Sequence, residues 1–322
     1  LELFLENAHH SFMEVNPVLI KEYKKSTTLR RTKTDSVDCE SIARWLITVE
    51  YKPHSKGFYH AYSLKSLTRL RDRLIRQRSF YLVKITNVLD HTFPEFKPFF
   101  NERLSKTALY LLENYGSAEK MARMNSASYD KLRCISRGKF SIQQFLRLKE
   151  LAANTVGVNN SIFDLELNTL LTLYKSLSDE INTLETEIIK LIEEVHPHYM
   201  SIPGIGPISA AVIYAEYGDI SNFSNPGQML AFAGIEPGIN DSGTESHGGR
   251  MVKHGSSQLR YVLLNACLPL IRFDLTFATY YEKKRAEGKK HRVAITHVAK
   301  KLIRVIYALE RQDVDFNAQK LR

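Results

Sequence analysis

Several groups of residues in this 322-residue chain have the types and spacing to handle phosphates. Asp35 and Asp38 are carboxylates at i and i+3, on one face of a helix start. Paired carboxylate oxygens suit Mg²⁺, and a divalent cation there neutralises phosphate charge in a transition state. The same pair equally suits helix capping, with Asp35 or Thr34 at the N-cap and Asp38 in the first turn. Asp241-Ser242-Gly243 lies in a Gly/Ser-rich stretch, Pro237 to Gly255, read as a flexible loop. A serine beside cations can attack a phosphodiester. A solvated loop serine gives the same pattern, and Ser246, Ser256 and Ser257 are equal candidates on composition. Pro203-Gly204-Ile205-Gly206, between apolar helical stretches, has the form of a helix-hairpin-helix turn. Gly204 and Gly206 permit the turn, and the next helix N-terminus could hold a DNA or RNA phosphate. An ordinary helix–helix connection is the alternative. Arg250, Lys253 and Arg260 flank Gly248-Gly249 and Gly255, a basic loop suited to phosphate binding. His247, His254, His291 and His297 have no metal-ligand spacing.

These groups need elements to position them. Phe12 to Val15 reads as a short strand, ended by Asn16-Pro17 and followed by helices, an order that suggests part of an α/β domain. Leu64, Leu67, Leu70 and Leu74 recur at helical spacing, with arginines between them. Leu170, Leu173, Leu177, Ile181, Leu184, Ile188 and Leu191 form a heptad-like seam. Two such helices predict an antiparallel coiled-coil arm or a dimer contact. Asp90 to Asn160 reads as short helices and loops. Beyond Tyr199, helices are expected over Ala210–Tyr217, Ser257–Ile271 and Val293–Leu309.

The net charge of +10 is not evenly spread. Arg250 to Arg322 holds 16 Lys and Arg against 6 Asp and Glu, which accounts for all of it. The other 249 residues balance, with basic stretches at Lys21–Lys33 and Lys65–Lys84 offset by an acidic helix at Asp164–Glu194. A clustered excess of cations is the footprint of a polyanion partner, usually nucleic acid. With 43% hydrophobic residues the chain can bury a sizeable core, and no apolar run approaches a membrane span. Three scattered cysteines, Cys39, Cys134 and Cys267, fit a reducing cytoplasm better than a disulfide framework.

The motifs together resemble the DEDD-type transposases of the IS110 group of insertion sequences, relatives of Piv-type DNA invertases. The N-terminal marks are Val15-Asn16-Pro17 and Lys33-Thr34-Asp35-Ser36-Val37-Asp38. The C-terminal marks are Ile202-Pro203-Gly204-Ile205-Gly206, Phe232-Ala233-Gly234-Ile235-Glu236-Pro237, Asp241-Ser242-Gly243, and Lys253-His254-Gly255 with Leu259-Arg260. The resemblance implies a RuvC-like, ribonuclease-H-like domain whose Asp-Glu-Asp-Asp site holds Mg²⁺, its last two acids matching Asp35 and Asp38. It implies that Ser242 matches a serine that links covalently to DNA, and that a guide RNA pairs with donor and target DNA. The family's first Asp and its Glu precede the Val-Asn-Pro strand, so this chain is expected to lack two of the four acids and to be inactive as it stands.

The expected architecture is mixed but mostly α. A truncated RuvC-like α/β part spans 1–53, a helical coiled-coil arm 54–198, and an α-helical C-terminal transposase domain 199–322. The expected activity is DNA cleavage and rejoining through a phosphoserine, by a homo-oligomer (dimer or tetramer) with no membrane partner. A non-catalytic helix-hairpin-helix nucleic-acid-binding protein is the alternative.

Overall fold

The computed structural model describes residues 4–5, 8–13, 15, 17–27, 34–51, 58–101, 104–242 and 245–321. It describes the backbone alone at 18, 58–60, 237–242, 245–250 and 320–321. The chain divides into two compact units, Leu1–His60 and Ala61–Arg322.

In the first unit, α1 spans Pro17–Thr27 and α2 spans Asp35–Thr48. Pro17 opens α1, where its missing N–H costs nothing. Thr34 caps α2, its hydroxyl accepting from the Val37 N–H at 3.4 Å. Phe12, Met13 and Val15 do not form the expected strand. A strand exists only with a ladder partner, and the described residues of this unit provide none. The described part of this unit is therefore helical, without the expected α/β character.

The second unit is built on two 35-residue helices, α3 (Phe58–Thr92) and, further along the chain, α9 (Ser161–Val195). Each is about 50 Å long at 1.5 Å per residue. They run antiparallel. Leu64 shares a core with Ile188 and Ile192. Arg71 Nε donates to Glu185 at 2.7 Å, and His91 stacks on Phe163 at 5.9 Å. The predicted seam is only partly covered: Ile181 and Ile188 are buried, whereas Leu173 is 40% exposed.

Between these helices lie α4 (Phe96–Phe99), α5 (Lys106–Tyr115), α6 (Ala118–Ala122), α7 (Ser126–Ile135) and α8 (Ile142–Ala153), matching the short helices expected there. Their starts are legible in the sequence. Ser105 and Ser117 cap α5 and α6, Asn125 and Ser128 box α7, and Ser141 and Gln144 box α8. These helices close a core with Ile85, Phe93, Phe96, Leu148 and Leu167 at one end of the arm.

At the other end, α10 (Pro207–Tyr217), α11 (Pro226–Ala233), α12 (Ser257–Phe273), α13 (Leu275–Ala286) and α14 (His291–Gln312) enclose a second core. Leu64, Ile188 and Ile192 from the arm belong to it, so arm and C-terminal helices are continuous by packing. The two described strands, β1 (Pro237–Ser242) and β2 (Glu245–Met251), form one antiparallel pair. Among the described residues no single helix is long and apolar enough to cross a membrane. Cys39 and Cys134 are exposed and Cys267 is buried, all three free, and burial pushes the Cys267 thiol up to about 12.

Candidate functional site

The Gly/Ser-rich stretch is a hairpin where a flexible loop was expected. In register, Pro237 lies opposite Met251, Ile239 opposite Gly248, Asn240 opposite His247, Asp241 opposite Ser246 and Ser242 opposite Glu245. The register slips by one residue between Pro237 and Ile239, where β2 carries Gly249 and Arg250, and glycine tolerates such a bulge. At about 3.4 Å per residue, Ser242 lies about 17 Å along the strand from Pro237. The side chains of Ser242 and Arg250 lie outside the described residues, as do Asn16, Lys33 and Gly243.

The root of the hairpin is anchored by a backbone crossing. A Cβ on Gly255 would lie 2.0 Å from the Phe232 carbonyl oxygen and 2.5 Å from the Gly234 nitrogen. Gly234 itself has φ +65°, ends α11 in the left-handed region, and leaves room for a Cβ only 2.8 Å from the Gly255 nitrogen. The Ser256 N–H donates to the Phe232 carbonyl at 3.2 Å, and the Val252 N–H to the Glu236 carbonyl at 2.8 Å. Two motifs read separately in the sequence, Phe232-Ala233-Gly234 and Lys253-His254-Gly255, thus form one joint. The glycines were visible, but their pairing across more than twenty residues was not.

This joint gives several candidate residues structural partners. Arg260 Nη1 donates to the Ala233 carbonyl at 3.2 Å, satisfying the C-terminal end of α11. The Ser256 hydroxyl caps α12 by accepting from the Leu259 N–H at 3.2 Å. Ser257, the first residue of α12, and Lys253 and His254 before it are exposed. The expected helix-hairpin-helix is looser than its form suggests. Val195 ends α9, and only the short 3₁₀ turn His198–Ser201 precedes Pro203. Gly204, at φ +98°, packs against α12, where a Cβ would stand 2.8 Å from Pro269 Cγ and 3.1 Å from the Ala266 carbonyl. Gly206 borders open space at the N-terminus of α10.

Asp35 is exposed at the first turn of α2, and Asp38 is half-buried beside it. Lys24 Nζ from α1 sits 2.6 Å from Asp38 Oδ1. Among the described residues no three His, Cys, Asp or Glu side chains group as metal ligands. Two carboxylates remain compatible with Mg²⁺, which keeps several waters and commonly takes one or two protein carboxylates beside substrate phosphates. Asp35 and Asp38 belong to the first unit, and Ser242 to the second.

One charged residue escaped the sequence reading. Glu216 lies on the otherwise apolar α10 with 2% of its side chain exposed. Arg69 of α3 grips it in bidentate fashion at 3.0 and 3.2 Å, and Lys65 Nζ lies 3.8 Å away. A single carboxylate within Ala210–Tyr217 was the available signal. The pairing means that part of the Lys65–Lys84 cationic stretch serves internal contacts, as Arg71 with Glu185 and Arg76 with Asp72 also do.

Comparison with known proteins adds to this geometry. A model of the transposase IS116/IS110/IS902 family matches residues 197–282, which contain the hairpin and its root. A DEDD transposase model of the IS110 group matches residues 1–94, which contain Asp35 and Asp38. Together they cover more than half of the chain and place it, by class, among the insertion-sequence transposase families. The chain belongs to the IS110 family. It is 27% identical over 245 residues to the insertion element IS110 uncharacterized 43.6 kDa protein of Streptomyces coelicolor, covering 73% of this chain and 60% of that relative. It is 28% identical over 298 residues to the IS900 uncharacterized 42 kDa protein of Mycobacterium paratuberculosis, covering 87% and 71%. It is 25% identical over 260 residues to the transposase for insertion sequence element IS1111A of Coxiella burnetii, covering 80% and 59%. The matched region thus spans about 60% of the length of the first of these relatives.

Proposed function

We propose that this chain is the strand-transfer part of a DNA recombinase that moves its own insertion sequence. Ser242 Oγ attacks a DNA phosphodiester, its proton passes to solvent or a nearby base, and the 3′ or 5′ oxygen of the cut strand leaves. The serine–phosphate ester keeps the bond energy, so a DNA hydroxyl can reverse the step and rejoin a new partner. The observation that supports this reading is the hairpin at 237–251, rooted in a glycine crossing, ending β1 at Ser242 and lying within the segment matched by the family model.

Asp35 and Asp38 would hold Mg²⁺, and their carboxylate oxygens are the right donors. When bound, that ion supplies charge neutralisation at the phosphate. Lys24, now on Asp38, must release it for both oxygens to serve. Lys253 and the open N-terminus at Gly206 suit DNA or RNA phosphates. For Gly204 and Arg260 the packing and the Ala233 carbonyl supply a structural reason, and Arg260 keeps other N–H groups for a phosphate. Target choice would come from a guide RNA paired with donor and target DNA, and the protein would act as a homo-oligomer, a dimer or tetramer.

The test is covalent trapping. The full-length protein is incubated with labelled element-end DNA, its RNA and Mg²⁺, then denatured and resolved by size. A protein–DNA adduct is expected for the parent and for Ser246→Ala, and its loss for Ser242→Ala. An adduct that persists in Ser242→Ala overturns the serine assignment. An Asp35→Ala protein with undiminished adduct overturns the metal role.

A further inference from the structure

Part of the basic excess of the C-terminal segment lies on one face of α14. His297, Lys300 and Arg304 stand at i, i+3 and i+7, so they align along the helix over about 10 Å. Arg304 is exposed and His297 and Lys300 are half-buried, and none has an ion-pair partner among the described residues. Lys284 and Lys289, from α13 and the turn after it, approach His297 closely enough to depress its pKa, after burial and with Lys300. Burial likewise lowers Lys300, with Arg304 adding to it.

The acids nearby are few. Glu287 is taken by Lys284 at 2.8 Å, and Glu236 faces Lys300. Glu310 lies at the other end of α14, accepting from the Tyr199 N–H. Glu236 matters for position. It is the last residue before β1, and its carbonyl holds the root of the hairpin through Val252. The middle of the row, Lys300, therefore lies near the residue from which the strand of Ser242 starts. Half-burying the Lys300 ammonium without an ion-pair partner is costly and a bound polyanion supplies the missing charge, while the neutral imidazole of His297 can hydrogen-bond a phosphate oxygen.

We infer that the His297–Lys300–Arg304 face of α14 is a docking track for the phosphate backbone of duplex DNA leading to the serine hairpin. This rests on the recombinase reading above, which names DNA as the substrate. A row of about 10 Å spans roughly three phosphate steps of one strand, at 3.4 Å of axis per step. The track is a sequence-independent contact that sets the register of the cut strand and reads no bases.

The experiment measures the affinity of the full chain for a fluorescein-labelled, random-sequence DNA duplex across a salt series. Lys300→Ala/Arg304→Ala is expected to weaken binding at every salt concentration. It should also flatten the log–log salt slope by about 1.8, the loss of two duplex phosphate contacts. Lys300→Arg/Arg304→Lys should keep the parent slope, and so should the arm control Lys175→Ala/Lys190→Ala. Circular dichroism melts check that the variants fold. An unchanged slope in the double alanine variant overturns the track, and so does a parent chain that fails to bind the duplex. A slope that changes only with an RNA duplex of the same sequence overturns the assignment to DNA. Covalent trapping is read separately. A serine adduct that forms normally in the double variant at low salt, with an unchanged slope, would remove the track and leave the recombinase reading standing.

Discussion

The two ends of the long helix pair share apolar packing and differ in buried charge. At one end α3 and α9 meet the short helices α4 to α8 in a core that is almost entirely apolar. It is closed by phenylalanines, with Phe96 5.6 Å from Phe93 and 4.9 Å from Phe100. At the other end Leu64, Ile188 and Ile192 of the arm join an equally apolar core, and that end also holds a buried carboxylate with two cations, Glu216 with Arg69 and Lys65. Apolar packing closes both ends without favouring one direction of approach. A bidentate pair is directional, so the second core fixes how the arm meets the hairpin platform. Each end also contains a glycine where two backbones cross. Gly157 leaves only 2.1 Å between a Cβ and the Thr92 carbonyl oxygen, and Gly255 only 2.0 Å to Phe232. The difference teaches that packing holds both ends, while a directional ion pair is added at the end that carries the hairpin.

The sharpest way to break this comparison is Gly255→Ala. Its Cβ meets backbone on both sides, so the joint must open, at a cost of about 3 kcal/mol or more. Thermal melts should show a large loss in stability, and the covalent DNA adduct should disappear. Gly157→Ala makes the same collision at the far end, and the adduct should survive there. Equal loss of adduct in both variants would erase the proposed division.

Leu148→Ala comes next. Leu148 is fully buried in the apolar core, so truncation should cost about 2–4 kcal/mol from lost transfer energy and the cavity left behind. Hydrogen exchange should rise in α5 to α8 and stay unchanged in α10 to α14.

Arg69→Ala should have a mixed effect. It strips the bidentate partner from a buried Glu216, but Lys65 remains and half of Arg69 is exposed. A loss of about 1–3 kcal/mol is expected, and the double variant Arg69→Met/Glu216→Met should recover much of it. If the double variant melts like the parent yet forms less DNA adduct, the pair sets geometry, as argued. Full activity in a stable double variant would sink that role.

The smallest effect should come from His198. Its two ring nitrogens meet Asp315 at 3.0 Å and Asp313 at 2.9 Å, and these contacts raise its pKa above the ordinary 6.5. A raised histidine contributes fully below its unfolded value and loses that contribution as pH rises through the folded one. The tail at Asp313–Phe316, tied back by the Phe316 N–H to Ser201 Oγ at 2.8 Å, should therefore exchange faster as pH rises above 6.5. His198→Gln should remove that pH dependence, and a tail whose exchange tracks pH only chemically would refute it.

Much of the local structure was readable from residue types. The caps Ser105, Ser141 and Asn160, the 3.6-residue periodicity of α9 and α14, and the proline at α1 each act within one or two turns. Helices α11 and α13 went unread. Pro226 and Asp274 do mark their starts, but α13 is too evenly polar for a periodic signal, and α11 is only eight residues long. The strand expected at Phe12–Val15 failed because alternation in sequence does not supply a hydrogen-bonding neighbour. Conversely, the hairpin at 237–251 was read as a loop because glycine and serine are poor strand formers and the pairing is what makes the strands.

The sequence by itself determined the helices, the clustering of positive charge at the C-terminus, and the motifs that mark an IS110-family transposase. These depend on neighbours a few residues apart, whose chemistry the chain order already contains. Only the tertiary structure decided which glycines cross at the root of the hairpin and which arginines answer a buried carboxylate. Those outcomes turn on contacts between residues tens to more than a hundred positions apart, such as Phe232 with Gly255 and Arg69 with Glu216. Packing brings them together, and their spacing along the chain carries no trace of it.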